Sequence, residues 1–242
     1  MCRGMSPQKS RLSWWRDMTT LTATLTHKSD KTPVRVQVPK KRLTFGIYYQ
    51  VKDHAFKRAL ETEVQELKAT SSWDPARDVV ILKEVRHEED FKRVWAEIAM
   101  EARSQGLEVA RGLLFLHASK PTGENSGFEF APMAPGADAT LKKDEMHALT
   151  KLPWTPSAKL DLRGCNTGMV GERRSWAVAE VMAKAQGVKT SGQMGYSYFS
   201  TSKTHYEEAL PSSKVVYLWA FHRKKNGILG DGSAMPEKVF NP

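Results

Sequence analysis

Cys165 and His117 are two side chains whose types can carry out nucleophilic chemistry together. A thiolate attacks a carbonyl carbon, and an imidazole within reach takes the proton of the thiol. They stand 48 positions apart, so only the fold can bring them together. Gly164 lets the backbone turn sharply before the cysteine, and Asn166-Thr167-Gly168 continue that turn toward a helix whose N-cap is read at Ser175. The positive end of that helix, aimed at the sulfur, would favour the thiolate. The chain has two cysteines, Cys2 and Cys165. Cys2 sits in a polar start, so no disulfide framework is expected, and two cysteines alone cannot complete a structural zinc site. Each residue also has a plainer reading. A histidine ending an apolar strand is often a satisfied structural residue, and a free cysteine is often a small buried hydrophobe. The glycines flanking Cys165 argue against deep burial.

The elements that must position this pair alternate between strand and helix patterns. Residues 43–51 (LTFGIYYQV) read as a buried strand and 54–69 as a helix with Ala55, Ala59, Leu60, Val64 and Leu67 on one face. A second strand is read at 78–85 and a helix at 88–106, with Phe91, Val94, Trp95, Ile98 and Ala102 at three-and-four spacing and Gly106 as its stop. The most apolar strand, VARGLLFLHAS (109–119), contains His117. Residues 120–143 read as a loop or small hairpin with a short FEF insert, 144–152 as a short helix, and 158–168 (AKLDLRGCNTG) as a fourth strand running into the Cys165 turn. A helix at 175–187, closed by Gly187, precedes the strand candidates 195–200 and 214–221. Before residue 43, the stretches 20–26 and 34–38 alternate in the strand manner and are expected to pair as a hairpin around KSDKT. Interleaved strands and helices argue for an α/β fold with a mostly parallel sheet covered on both faces. Ligands of such sheets bind beyond the carboxyl ends of the strands. Those ends are where His117 and Cys165 fall.

In this order, an apolar block ending in His and a second ending in Gly-Cys, the sequence resembles the caspase-like (clan CD) cysteine peptidases. LDLRGCNTG is similar to the cysteine block of the bacterial CHAT-type members, and TSGQMGYSYFS to the strand that follows their next helix. The likeness covers roughly residues 43–222. It implies a caspase-like three-layer sandwich over residues 43–242, preceded by a basic segment, 1–42, able to hold the hairpin. It also implies a cysteine endopeptidase with His117 as general base and Cys165 as nucleophile, working through an acyl-enzyme. The oxyanion would be held by the backbone N–H groups of Cys165 and Ala118. The family usually carries glycine at the latter place; alanine keeps the N–H, but at a positive φ it would be strained. The resemblance implies no cofactor and no metal, a protein or peptide substrate, and regulation by an activating or inhibitory protein partner. Asp161, Arg163, Glu172 and Gln193 are candidate substrate contacts. Asp161 and Glu172 would favour a basic P1 residue, whereas Arg163, Arg173 and Arg174 would favour an acidic one, and strand alternation puts Asp161, Arg163 and Cys165 on one face.

Rival readings follow from the rest of the chain. His147, His205 and His222 compete as the base: the first on a polar helix, the second bordering the cleft, the third among Arg223, Lys224 and Lys225. An inactive caspase-like binding scaffold is the first functional alternative, with Ala118 as the mark of a decayed site. The net charge of +10 and pI near 9.6 allow acidic partners, so a basic nucleic-acid-binding protein is the second. No helix-turn-helix, RNA-recognition or zinc motif supports it, and the basic residues are spread along the chain. Trp14-Trp15, among Lys9, Arg11 and Arg16, reads as a docking point of the N-terminal segment, and Pro39-Lys40-Lys41-Arg42 as a solvated turn. No apolar h-region and no run of about 18 apolar residues is visible. The expectation is a cytoplasmic protein, or a toxin or effector exported by a dedicated secretion system.

Overall fold

Leu43, Phe45 and Ile47 alternate with Thr44, Gly46 and Tyr48, and both sets are apolar or small enough to be buried. In the computed structural model this stretch is a central strand covered on both faces. The structure describes residues 40–52, 54–119, 123, 125–171, 175–222 and 232–242, with the backbone of 24–25 and 34–35. The chain divides into residues 1–40 and 41–242. In the first unit β1 (Thr24–Leu25) and β2 (Val34–Arg35) pair antiparallel, as the hairpin reading expects. The KSDKT turn, Cys2, Trp14-Trp15 with its basic neighbours, and Pro39 lie outside the described residues, as do Glu172, Arg173, Arg174, Arg223, Lys224 and Lys225.

The second unit opens with β3 (Arg42–Tyr49), α1 (Ala55–Lys68), β4 (Asp78–Val85), α2 (Glu88–Ser104) and β5 (Glu108–Phe115). It continues with β6 (His117–Ala118), β7 (Phe128–Glu129), β8 (Thr140–Leu141), α3 (Lys143–Ala148) and β9 (Trp154–Arg163). It closes with α4 (Val178–Gln186), β10 (Lys189–Gln193), β11 (Ser197–Ser200), β12 (Tyr217–Ala220) and β13 (Glu237–Phe240). Six strands form the main sheet in the order β13-β10-β9-β5-β3-β4. All neighbours pair parallel except β13, which runs antiparallel to β10. The fold is therefore α/β, with a mostly parallel sheet between helices.

Helix periodicity decides which layer each helix joins. Phe56, Ala59, Leu60 and Val64 of α1 pack on Tyr48, Leu113 and Phe115 on one face of the sheet, together with Val216 and Leu218. On the other face Phe91, Val94, Trp95 and Ile98 of α2, Met146 of α3 and Val181 and Met182 of α4 enclose Phe45, Leu114, Leu160 and Leu162. Each large side chain fully buried there contributes about 1.5–3 kcal/mol relative to exposure. Helix ends follow the expected chemistry in part. Asp90 accepts the N–H of His87 at 3.1 Å at the start of α2, and Gly187 closes α4 in the left-handed conformation. Ser175 is not the N-cap of α4; Ala177 holds that place, and its N–H reaches the Glu180 carboxylate at 3.5 Å.

Two expectations are corrected. The strand containing His117 ends at Phe115, and after Leu116 the chain enters a separate three-stranded sheet, β6-β7-β8, which also takes up the FEF insert. The candidates 195–200 and 214–221 do not extend the main sheet but pair with each other as β11 and β12. The fifth and sixth positions of the main sheet are filled instead by β10 and β13. Their sequences, KTSGQ and EKVF, are polar or short and carry little strand signal.

Candidate active site

β5 and β9 are parallel neighbours, with Phe115 opposite Arg163. One residue further, Leu116 N–H donates to the Arg163 carbonyl at 3.1 Å. His117 and Cys165 thus follow two adjacent strands at the same carboxyl edge, joined by that last hydrogen bond. Gly164 is set by space rather than by φ: a Cβ at this position would lie 2.3 Å from the Leu116 carbonyl oxygen. The residue that makes the turn is Asn166, at φ 57°, a conformation asparagine tolerates better than most. Gly164→Ala is therefore expected to destabilise the protein by about 1–3 kcal/mol. Urea unfolding followed by circular dichroism measures this, and an unchanged midpoint would show that the strand ends do not approach this closely.

The His117 ring is packed edge-to-face by Tyr49 at the end of β3 and Phe56 in the first turn of α1, at centroid distances of 4.9 and 4.8 Å. Phe199 of β11 completes the aromatic wall at 5.1 Å from Phe56. His117 stays exposed on its outer side, while this packing removes enough water to push its pKa below the ordinary 6.5. Cys165 is half-buried. Its Sγ accepts the Ser197 N–H at 3.4 Å and faces the Ser197 carbonyl at 3.9 Å; no hydrogen bond joins it to His117 among the described residues. Burial pushes the thiol pKa up, with Glu129 adding to the rise, and the hydrogen bonds from Ser197 and from the Cys165 N–H offset this only in part. This corrects the expected thiolate. The first-turn N–H of α4 at Ala179 is given to the Thr167 carbonyl at 2.9 Å, and desolvation dominates at the sulfur. At neutral pH the pair rests as neutral thiol and neutral imidazole.

Ala118 shows no positive φ, so alanine in place of glycine brings no backbone strain. Ser119 N–H donates to Gly127 O at 3.0 Å, and in an antiparallel ladder such bonds occur at alternate residues. The Ala118 N–H therefore points away from β7.

Asp161, Arg163 and Gln193 are committed to the interior, which corrects their reading as substrate contacts. Arg163 and Asp161 lie on the α1 face of the sheet, 4% and 6% exposed. The strand ends at Arg163, so Cys165 leaves the alternation that would have set all three on one face. The Arg163 Nε donates to Glu63 at 2.7 Å, a second nitrogen binds Glu237, and the guanidinium lies 4.7 Å from the Trp219 ring centre. Asp161 accepts from Arg111 at 2.9 Å and from Ser191 at 2.8 Å. Burial alone would push its carboxyl up; Arg163, Arg111 and Ser191 more than offset this and hold it below the ordinary range. Gln193 donates to the Leu218 carbonyl at 2.8 Å and accepts from the Ser197 hydroxyl, fastening the segment that covers the sulfur.

The competing histidines are exposed. His205 Nδ1 is engaged by Thr204 Oγ1 at 3.0 Å, and the His222 backbone N–H is bonded to Ser233 at 3.0 Å. Tyr49, Phe56, Glu129 and Ser197 are site residues the sequence reading missed. Tyr49 was within reach of the strand-end rule; the other three depend on packing and on the β7 register. No group of three or more His, Cys, Asp or Glu placed to hold a metal ion occurs among the described residues. No helix among them is long and apolar enough to cross a membrane. No family model matches the chain, and no curated protein matches it.

Proposed function

We propose that residues 41–242 act as a cysteine endopeptidase of the caspase-like type. The observation that carries this reading is the placement of His117 and Cys165 just beyond two hydrogen-bonded parallel strands, β5 and β9, at one carboxyl edge. The strand order and the helices on both faces are compatible with a caspase-like three-layer sandwich, and the resemblance of the two sequence blocks points the same way.

In this mechanism a peptide carbonyl enters beside Cys165. The thiol turns from the Ser197 carbonyl toward His117, which takes its proton as sulfur bonds to the carbonyl carbon. The Cys165 and Ala118 N–H groups receive the developing oxyanion. The imidazolium returns the proton to the leaving amine as the C–N bond breaks. Water, deprotonated by the same ring, then releases the acyl group and regenerates the thiol. An imidazole with a lowered pKa is unprotonated at neutral pH and so is ready as the base.

The rival is an inert scaffold, favoured by the Ser197 contacts of Sγ and by its raised pKa. A set of peptidyl acyloxymethyl ketones separates the two. The peptidase reading expects a covalent adduct on Cys165 that is lost in Cys165→Ala, together with cleavage of the matching peptides. Equal labelling of Cys2 and Cys165, with no cleavage of any peptide, would overturn it.

A further inference from the structure

We propose that Glu129 is the specificity-determining residue of this site, receiving a lysine or arginine side chain of the substrate beside the scissile bond. The inference rests on the peptidase reading. In the β6–β7 pair, His117 lies directly opposite Glu129 and Ala118 opposite Phe128. Opposed residues of an antiparallel pair share a face. Phe128 and Ala118 are buried in the core at 1% and 7% exposure, so His117 and Glu129 project together from the other face. Both are exposed. The Glu129 charge bears on the sulfur, where it opposes loss of the thiol proton.

This carboxylate has no cation beside it among the described residues, and unlike other unpaired carboxylates it lies directly opposite His117. The chain has 37 Lys and Arg against 27 Asp and Glu, so basic partners are in excess. Other carboxylates on the surface use them: Glu97 pairs with Arg93, Glu145 with Lys92 and Glu180 with Lys184. Among the described residues Glu129 has no ion pair and no side-chain hydrogen bond. A lone carboxylate beside a nucleophilic thiol works against the chemistry while the site is empty. A cationic substrate side chain reverses that effect, because it neutralises Glu129 where it binds and removes the push on the sulfur. Selectivity for a basic residue and activation of Cys165 then come from one contact.

Two measurements on the full chain test this, the first without any need for peptidase activity. Cys165 is modified with a cationic methanethiosulfonate, bearing trimethylammonium, and with an anionic one, bearing sulfonate, and each adduct is read by peptide mass mapping. The cationic reagent is expected to gain about tenfold over its ratio on the denatured chain at low salt, and Glu129→Gln is expected to abolish that gain. The second measurement compares peptides carrying lysine or norleucine on either side of the scissile bond. Lysine preference is expected in the wild type, lost in Glu129→Gln and reversed toward glutamate in Glu129→Lys. Hydrolysis with the same lysine-to-norleucine ratio in wild type and Glu129→Gln would overturn the proposal, as would an unchanged reagent ratio. Loss of reagent selectivity in the variant with no peptide hydrolysed by either protein would instead overturn the peptidase reading itself.

Discussion

Replacing His117 by alanine is expected to cut peptide hydrolysis by about 10²–10⁴-fold, the usual contribution of a positioned general base. The loss of stability should be near 1 kcal/mol, because the ring only caps the Tyr49–Phe56 wall. The same substitution at His147 or His205 should leave the rate unaltered. The pH dependence gives the sharper test. The His117 pKa is lowered and the Cys165 pKa raised, both first by burial. Hydrolysis needs the imidazole unprotonated, so kcat/KM rises with pH through the His117 pKa and its acid limb lies below pH 6.5. Alkylation by iodoacetamide needs the thiolate, so its rate rises through the Cys165 pKa, on the alkaline side of the ordinary thiol value. Two well-separated limbs are expected in the wild type. In His117→Ala the acid limb disappears and residual hydrolysis follows the thiolate. Coincident limbs in the wild type would mean a preformed thiolate–imidazolium pair and would refute the neutral resting state.

How much of this was legible beforehand depended on what kind of signal each residue gives. β3, α1, β4 and α2 were read to within two or three residues because their apolar periodicity is strong and their breakers lie at the ends. Asking which side chains close apolar strands pointed to Cys165 and His117, although His117 stands beyond the end of β5 in a separate sheet. The break at Leu116 was invisible, since LLFL runs into His117-Ala118 with no glycine or proline although the chain changes sheets there. β10 gave no periodicity of its own, because a strand with neighbours on both sides needs little side-chain signal once the backbone ladder holds it; only the likeness of TSGQMGYSYFS to a strand after the helix pointed to it. Asp161 and Arg163 were misplaced for a different reason. A charged residue near a nucleophile reads as a substrate contact, and only the structure shows that Glu63, 100 positions away in sequence, and Glu237 already hold the arginine. Glu129 gave no pattern at all, because its place opposite His117 depends on the register of a two-residue strand.

Arg163→Met is the substitution expected to damage the fold most. Arg163 is 4% exposed and joins elements far apart in the chain, Glu63 on α1 and Glu237 on β13, while Asp161 lies beside it on β9. Removing it leaves those carboxylates buried without their shared cation, for a cost of about 3–5 kcal/mol, a large fraction of the roughly 5–15 kcal/mol that stabilises a typical domain. Its effect on pH dependence has a definite sign. In the wild type Asp161 is held below its ordinary range, so its contribution is present above the unfolded pKa and lost as pH falls through the folded one. Burial already pushes Glu237 up, and Arg163 opposes that shift. Without Arg163 the Glu237 carboxyl is pushed further above its unfolded value, the folded state binds more protons there, and stability falls as pH rises. The variant should therefore melt at a higher temperature at pH 5 than at pH 8. Adding Glu63→Gln should recover part of the loss, because the second change removes a charge that the first left unpaired. A melting point in Arg163→Met that matches the wild type, or a double variant no more stable than the single one, would show that the cluster is not what ties α1 and β13 to the sheet beneath the Cys165–His117 edge.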